Sequence, residues 1–151
     1  MTARSAVEGF LGQERIAVVG ASASGQGFGA IAYRALKKGG YKVVPVHPSA
    51  ATIDGDKAFP SIKDLPEPVG GVLVVVPPSE TGKVVAEAAE AGVGHLWLQQ
   101  GAESDEAIRM AEQEGMVVVH HECILMFARP GGFPHNMHRW VWGLLGKLPR
   151  D

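Results

Sequence analysis

A doubly wound α/β fold, one domain with a mostly parallel sheet and helices on both faces, is predicted by three observations. Five short apolar runs, Ile16–Val19, Val43–Val46, Val72–Val76, Leu96–Leu98 and Val117–Val119, lack the clean alternation of a half-exposed strand. That is the pattern of parallel strands covered on both sides. Stretches of helical spacing lie between them, at Phe28–Lys38, Glu80–Ala91 and Asp105–Glu114. Each of these stops near a glycine, Gly39, Gly92 or Gly115. A β-α-β-α order with right-handed crossovers brings the strand C-termini to one edge, where ligands of such folds bind.

The elements follow in order. Before the first strand, Phe10-Leu11 is expected to cap the core, with the first few residues loose. Ile16–Val19 stops at Gly20, and a loop of small residues runs through Ala21, Ser22, Ala23, Ser24, Gly25, Gln26 and Gly27. From Phe28 on, Ile31, Ala32, Ala35 and Leu36 can share a helix face. Strand, small-residue turn and helix form the unit that sets a phosphate on a helix N-terminus. The Ser49–Pro68 segment has less pattern: an Asp54-Gly55 turn, a short edge strand near Lys57–Phe59, and a short helix from Ile62 that stops before Pro66. Ser79 and Ser104 are the expected N-caps of the next two helices.

At 151 residues and 46% apolar content the chain is long enough for a full core. A formal net charge of −2 gives no basic field for nucleic acid. No apolar run approaches membrane-spanning length, and the N-terminal stretch has no signal-peptide core. One cysteine excludes an internal disulfide and fits a reducing cytoplasm.

The first loop narrows the ligand. Gly20-x-x-x-x-Gly25 is followed by Gln26-Gly27, so the phosphate lysine and Mg²⁺ hydroxyl of a P-loop are missing. Set against the dinucleotide fingerprint, Gly20 and Gly25 fit but Ser22 stands at the second glycine. The second strand ends in His47-Pro48, with no carboxylate for a free ribose diol. A histidine there tolerates a phosphorylated ribose. NAD is therefore demoted, and coenzyme A moves up.

Five pieces in order, Ile16–Ser22 (IAVVGAS), Tyr41–Pro48 (YKVVPVHP), Ala58–Ser61 (AFPS), Val74–Pro78 (VVVPP) and Leu96–Gly101 (LWLQQG), make the chain resemble the stand-alone CoA-binding proteins related to the N-terminal domain of the succinyl-CoA synthetase α subunit. The likeness runs from about Gly9 to Cys123 and implies a Rossmann-like domain that binds coenzyme A or an acyl-CoA. It implies phosphate contacts at Gly20, Ala21, Ser22, Ser24, Phe28 and Gly29, and an adenosine end at His47 and Pro48. It also implies a nucleotide wall of Val76, Pro77 and Pro78, with Gln100 and Gly101 facing the pantetheine arm. The family often has Asn, Ser or Thr where this chain has His47. The phosphohistidine of the ligase belongs to a later domain, so the resemblance implies binding without catalysis by this chain alone, with a homodimer or an ATP-grasp-type protein as partner.

Other features have a plainer reading beside a functional one. Cys123 follows His120-His121-Glu122 and is either a small packed residue or, with His120 or His121, the nucleophile of a CoA-dependent acyl carrier or transferase. A third reading is a dinucleotide-binding redox sensor. His120, His121, Cys123, His135 and His138 match no standard metal spacing, and no metal is expected. Arg34, Lys37 and Lys38 suit a solvated helix C-terminus. The apolar tail of about 124–151, with a helix around His135–Leu145, is expected to pack on the domain or on a partner chain.

Overall fold

The computed structural model describes residues 3–128. Four helices, α1 (Ala3–Leu11), α2 (Phe28–Lys38), α3 (Pro78–Glu90) and α4 (Asp105–Gln113), surround the strands β1 (Ile16–Val19), β2 (Val43–Val46), β5 (Gly71–Val74), β6 (His95–Leu98) and β7 (Val117–His120). A small antiparallel pair, β3 (Thr52–Ile53) and β4 (Asp56–Lys57), lies apart from them. The main sheet is wholly parallel in the order β2-β1-β5-β6-β7. The doubly wound α/β fold is thus what the apolar runs indicate.

Alternate strand residues feed two separate cores. Ile16, Val18, Leu73, Trp97 and Val119 point to one face, packed with Val7 and Phe10 of α1 and with Ala32, Tyr33 and Leu36 of α2. Ala17, Val72, Val74, Leu96 and Leu98 point to the other, under Val84, Val85 and Ala88 of α3 and Ala107 and Ala111 of α4. Burial on both faces is why the strands show no alternation.

The structure corrects the sequence reading in three places. Residues expected to be loose form α1, which packs on β6 and β7 and completes the face that α2 leaves open. Phe10 caps the core as expected: it is fully buried, meets Trp97 edge-on at 5.4 Å and lies against Gly71. The edge strand near Lys57–Phe59 is instead the β3–β4 hairpin, followed by a parallel bridge from Phe59 to Val46. Ser79 is not an N-cap. α3 starts one residue earlier at Pro78, whose missing N–H costs nothing at a first helical position. Ser104 does cap α4, accepting from the Ala107 N–H at 3.1 Å. The tail helix around His135–Leu145, with His135 and His138, lies outside the described residues.

Two ring contacts brace this scaffold. The fully buried Tyr33 donates to Asp56 Oδ2 at 2.6 Å, and Lys37 reaches the same oxygen at 2.9 Å, which pins the β3–β4 hairpin to α2. The Tyr33 hydroxyl, with the Lys37 ammonium, holds the Asp56 carboxyl below its ordinary range. At the start of the inner strand β6, His95 lies against Gly9 of α1, with Cε1 3.0 Å from where a Cβ would stand, and its Nδ1 is shut off from solvent without a partner. Burial lowers its pKa from the ordinary 6.5. Above 6.5 folded and unfolded chains are both neutral at this ring. Below it the unfolded chain takes up a proton that the folded ring resists, so stability falls as the pH drops through that value. The urea midpoint should therefore fall between pH 7.5 and pH 5.5 in the parent, and fall less in His95→Leu.

Candidate functional site

The chain leaves β1 toward β2 on one side and returns to β5 on the other, so the C-termini of β1 and β5 form the switch point of the sheet. The backbone is tightest there. Gly20, with φ +121°, lies so close to β5 that a Cβ would stand 2.0 Å from the Val75 carbonyl oxygen. Val75 in turn donates its N–H to Val19 at 2.8 Å. Gly29, in the first turn of α2, packs on the same loop: a Cβ there would stand 2.3 Å from the Gly20 carbonyl oxygen and 3.0 Å from the Ala21 Cα. The glycine that brings helix and strand together is therefore Gly29 and not Gly25, where a Cβ would meet only the Arg34 side chain at 3.5 Å.

This loop is longer than the dinucleotide fingerprint and braces itself. Ser22 donates to the Gln26 carbonyl, the two serine hydroxyls are 3.2 Å apart, and Ser24 Oγ accepts from the Gln26 N–H at 3.3 Å. With the Ser22 proton on Gln26, Ser24 donates to Ser22, and the three residues close a ring of hydrogen bonds. The serines thus shape the loop, and its anion-binding capacity rests on backbone N–H groups. Those at the start of α2 are available: its N-cap is Gly27, with no capping side chain, and its first turn has no acid. α3 also starts beside the switch point without a side-chain cap, but with Glu80 in its first turn. α4, two strands away, has the Ser104 cap and carries Asp105 and Glu106 in its first turn. Helix termini without caps gather where a ligand would sit. Arg34 closes the loop from outside by donating to the Gly25 carbonyl at 3.0 Å, and Lys37 is engaged with Asp54 and Asp56.

The other sequence-predicted residues line the same edge. His47 follows β2, with its Nδ1 accepting from the N–H groups of Ser49 at 3.1 Å and Ala50 at 2.9 Å. The imidazole does here what an Asn or Ser side chain does in an Asx-type turn. An acceptor at Nδ1 places the ring proton on Nε2 and leaves that N–H to point away from the loop. Pro48 is exposed beside it. Val76 is half-buried, and Pro77 and Pro78 are exposed as they lead into α3. Gln100 and Gly101 follow β6 on the exposed surface.

Three residues that the sequence reading missed hold this last stretch. The buried Thr81 of α3 donates to the Ala102 carbonyl at 2.5 Å. The buried Gln99 accepts the Ile124 N–H at 3.0 Å. Glu103 accepts the Gly101 N–H at 3.0 Å and the His121 N–H at 3.4 Å. An acid two residues past a turn glycine was the available signal for Glu103. Cys123 is half-buried at the head of a three-residue 3₁₀ turn. Among the described residues no group of three His, Cys, Asp or Glu side chains could hold a metal ion, and no helix is long and apolar enough to cross a membrane.

Comparison with known proteins agrees with this fold. The model of a family described as CoA binding domain matches residues 14–129. The protein YneT of Bacillus subtilis is 32% identical over 111 residues, which cover 74% of this chain and 82% of YneT. The alpha subunit of acetate–CoA ligase (ADP-forming) II from Pyrococcus furiosus is 29% identical over 126 residues, 76% of this chain but 28% of that subunit. Among solved structures, a hypothetical protein from Pyrococcus horikoshii superposes with a TM-score of 0.77 at 30% identity, covering 83% of this chain and 88% of that one.

Proposed function

The chain belongs to the CoA-binding domain family, and from that premise we propose that it binds coenzyme A or an acyl-CoA across the C-terminal edge of the sheet. The pyrophosphate meets the backbone of Gly20, Ala21, Ser22 and Ser24 and the start of α2 at Phe28 and Gly29. The adenosine end lies by His47 and Pro48, between them and the wall of Val76, Pro77 and Pro78. The pantetheine arm runs over β5 and β6 toward Gln100 and Gly101. One observation carries this reading: at the switch point two glycines bring the loop and α2 into backbone contact, beside a helix N-terminus with neither cap nor acid. The chain spans about 28% of the ligase subunit it resembles. Its role is that of a binding module, with any acyl transfer supplied by a partner of the ATP-grasp type.

Thermal unfolding with CoA, dephospho-CoA, NAD⁺ and ATP, followed by calorimetry, tests the assignment. CoA at about 100 times its Kd adds about 2.7 kcal/mol, a rise of roughly 5–10 °C for a domain of this size. The expected order is CoA above dephospho-CoA, with no response to NAD⁺. A response to NAD⁺ alone replaces the CoA reading with a dinucleotide sensor.

A further inference from the structure

The turn after β7 holds a residue in an unfavourable conformation with unusual care. His121 has φ +62°, in the left-handed region, which few residues other than glycine adopt and where Asn, Asp and His are the commonest of those that do. Both of its backbone polar groups are tied to side chains of the segment after β6. Its N–H goes to Glu103 Oε2 at 3.4 Å, and its carbonyl accepts from Gln100 Nε2 at 3.5 Å. The flanks are fixed from β6 and the residue after it. The fully buried Trp97 donates from Nε1 to the Glu122 carbonyl at 3.0 Å, and the buried Gln99 accepts the Ile124 N–H at 3.0 Å. Four side chains of a seven-residue stretch, 97–103, thus hold this turn, two of them on His121 itself. Strain of this kind costs energy and persists where a side chain must be aimed.

The side chain so aimed is an imidazole, 63% exposed at the C-terminal edge of the sheet. Its Nδ1 is 3.9 Å from Glu103 Oε1, which favours the Nδ1–H tautomer and leaves the Nε2 lone pair free. The His120 ring of β7 meets it edge-on at 4.7 Å, and Glu122 and Cys123 follow it in the turn. The sequence offers Cys123 together with His120 or His121 for chemistry, and it is His121 that stands exposed at this edge. Across the sheet, β7 stands three strand spacings from β1, about 14 Å. In the proposed CoA pose the pantetheine arm, running over β5 and β6, heads in this direction.

We propose that His121 is the proton acceptor for the thiol of bound coenzyme A. This deepens the CoA reading and rests on it. The S–H bond breaks, the proton passes to Nε2 of His121, the electron pair stays on sulfur as thiolate, and the Glu103 carboxylate faces the imidazolium that forms. The chain then delivers an activated thiolate to whatever acyl donor a partner supplies.

The test alkylates CoA with iodoacetamide in the presence of saturating full-length protein carrying Cys123→Ser, so that CoA is the sole thiol followed. Calorimetry first establishes whether CoA is held. At pH 7 the bound thiol should react about tenfold faster than free CoA, with its pH profile displaced to lower pH. His121→Asn, a residue that tolerates the left-handed region, should keep CoA affinity within about twofold and return the pH profile to that of the free thiol. His121→Gly should do the same and regain the acceleration with added imidazole. Binding without acceleration, or acceleration that survives both substitutions, overturns this proposal and leaves the CoA reading standing. Absence of CoA binding by the parent overturns the CoA reading and this proposal with it.

Discussion

A Gly20→Ala chain should melt about 10 °C below the parent and lose its response to CoA. Two costs combine at this position. The residue holds φ +121°, which side chains other than hydrogen rarely allow, and a Cβ would stand 2.0 Å from the Val75 carbonyl oxygen. The obstacle is backbone, part of the turn that leaves β5, and cannot swing aside as a side-chain tip would. Strained φ and overpacking each cost about 1–3 kcal/mol, and a domain of this size loses roughly 2–4 °C per kcal/mol. Gly27→Ala is the informative control, since Gly27 also has positive φ, +90°, but a Cβ there meets nothing within 4 Å. Thermal unfolding of the two variants separates conformation from space. An equal fall in both would mean that the approach of β1 to β5 does not decide the fate of Gly20.

Trp97→Ala should be the most damaging single truncation on the face that α1 and α2 cover, lowering stability by about 3–5 kcal/mol in urea unfolding. The ring is fully buried between Phe10 at 5.4 Å and Phe127 at 5.9 Å, and so joins α1 to the turn beyond β7. Its Nε1–H is also the partner of the Glu122 carbonyl. Trp97→Phe keeps most of the packing and removes that donor, and should cost about 1–3 kcal/mol for the carbonyl left unpaired. The two variants should differ in kind as well as degree. Trp97→Phe raises amide exchange around His121–Ile124 with little change elsewhere, whereas Trp97→Ala raises it throughout α1 and β6.

How far the sequence carried depended on which force fixed each element. The five strands and α2, α3 and α4 were legible because their apolar spacing is dictated by a core on both faces of the sheet. α1 was not legible: it is short, contains Gly9 and is held by Val7 and Phe10 packing on strands far along the chain. Within the candidate site, Gly20 and Gly29 could be picked out by motif and resemblance. The third glycine of the fingerprint falls on Gly25, yet the glycine packed on the loop is Gly29, because the loop has extra residues and a motif counts positions instead of distances. His47 was visible as a histidine at a strand tip, but not as the cap of its own turn, since an imidazole acting like an asparagine leaves no mark in composition. Glu103, Thr81 and Gln99 escaped because their partners are backbone groups, which every sequence contains.

The position of α1 has a consequence for how this protein is made. Its apolar side docks on β6 and β7, which the ribosome delivers only after Gly94 and Met116. At about 5–20 residues per second the helix waits on the order of ten seconds for its seat. During that interval Phe10 has only the β5 strand at Gly71 to lie against, and the side of α1 that meets β6 and β7 stays uncovered. The nascent chain is therefore expected to depend on chaperone shelter until β7 emerges. A version that starts at β1 and carries α1 grafted after β7 should be released from that wait.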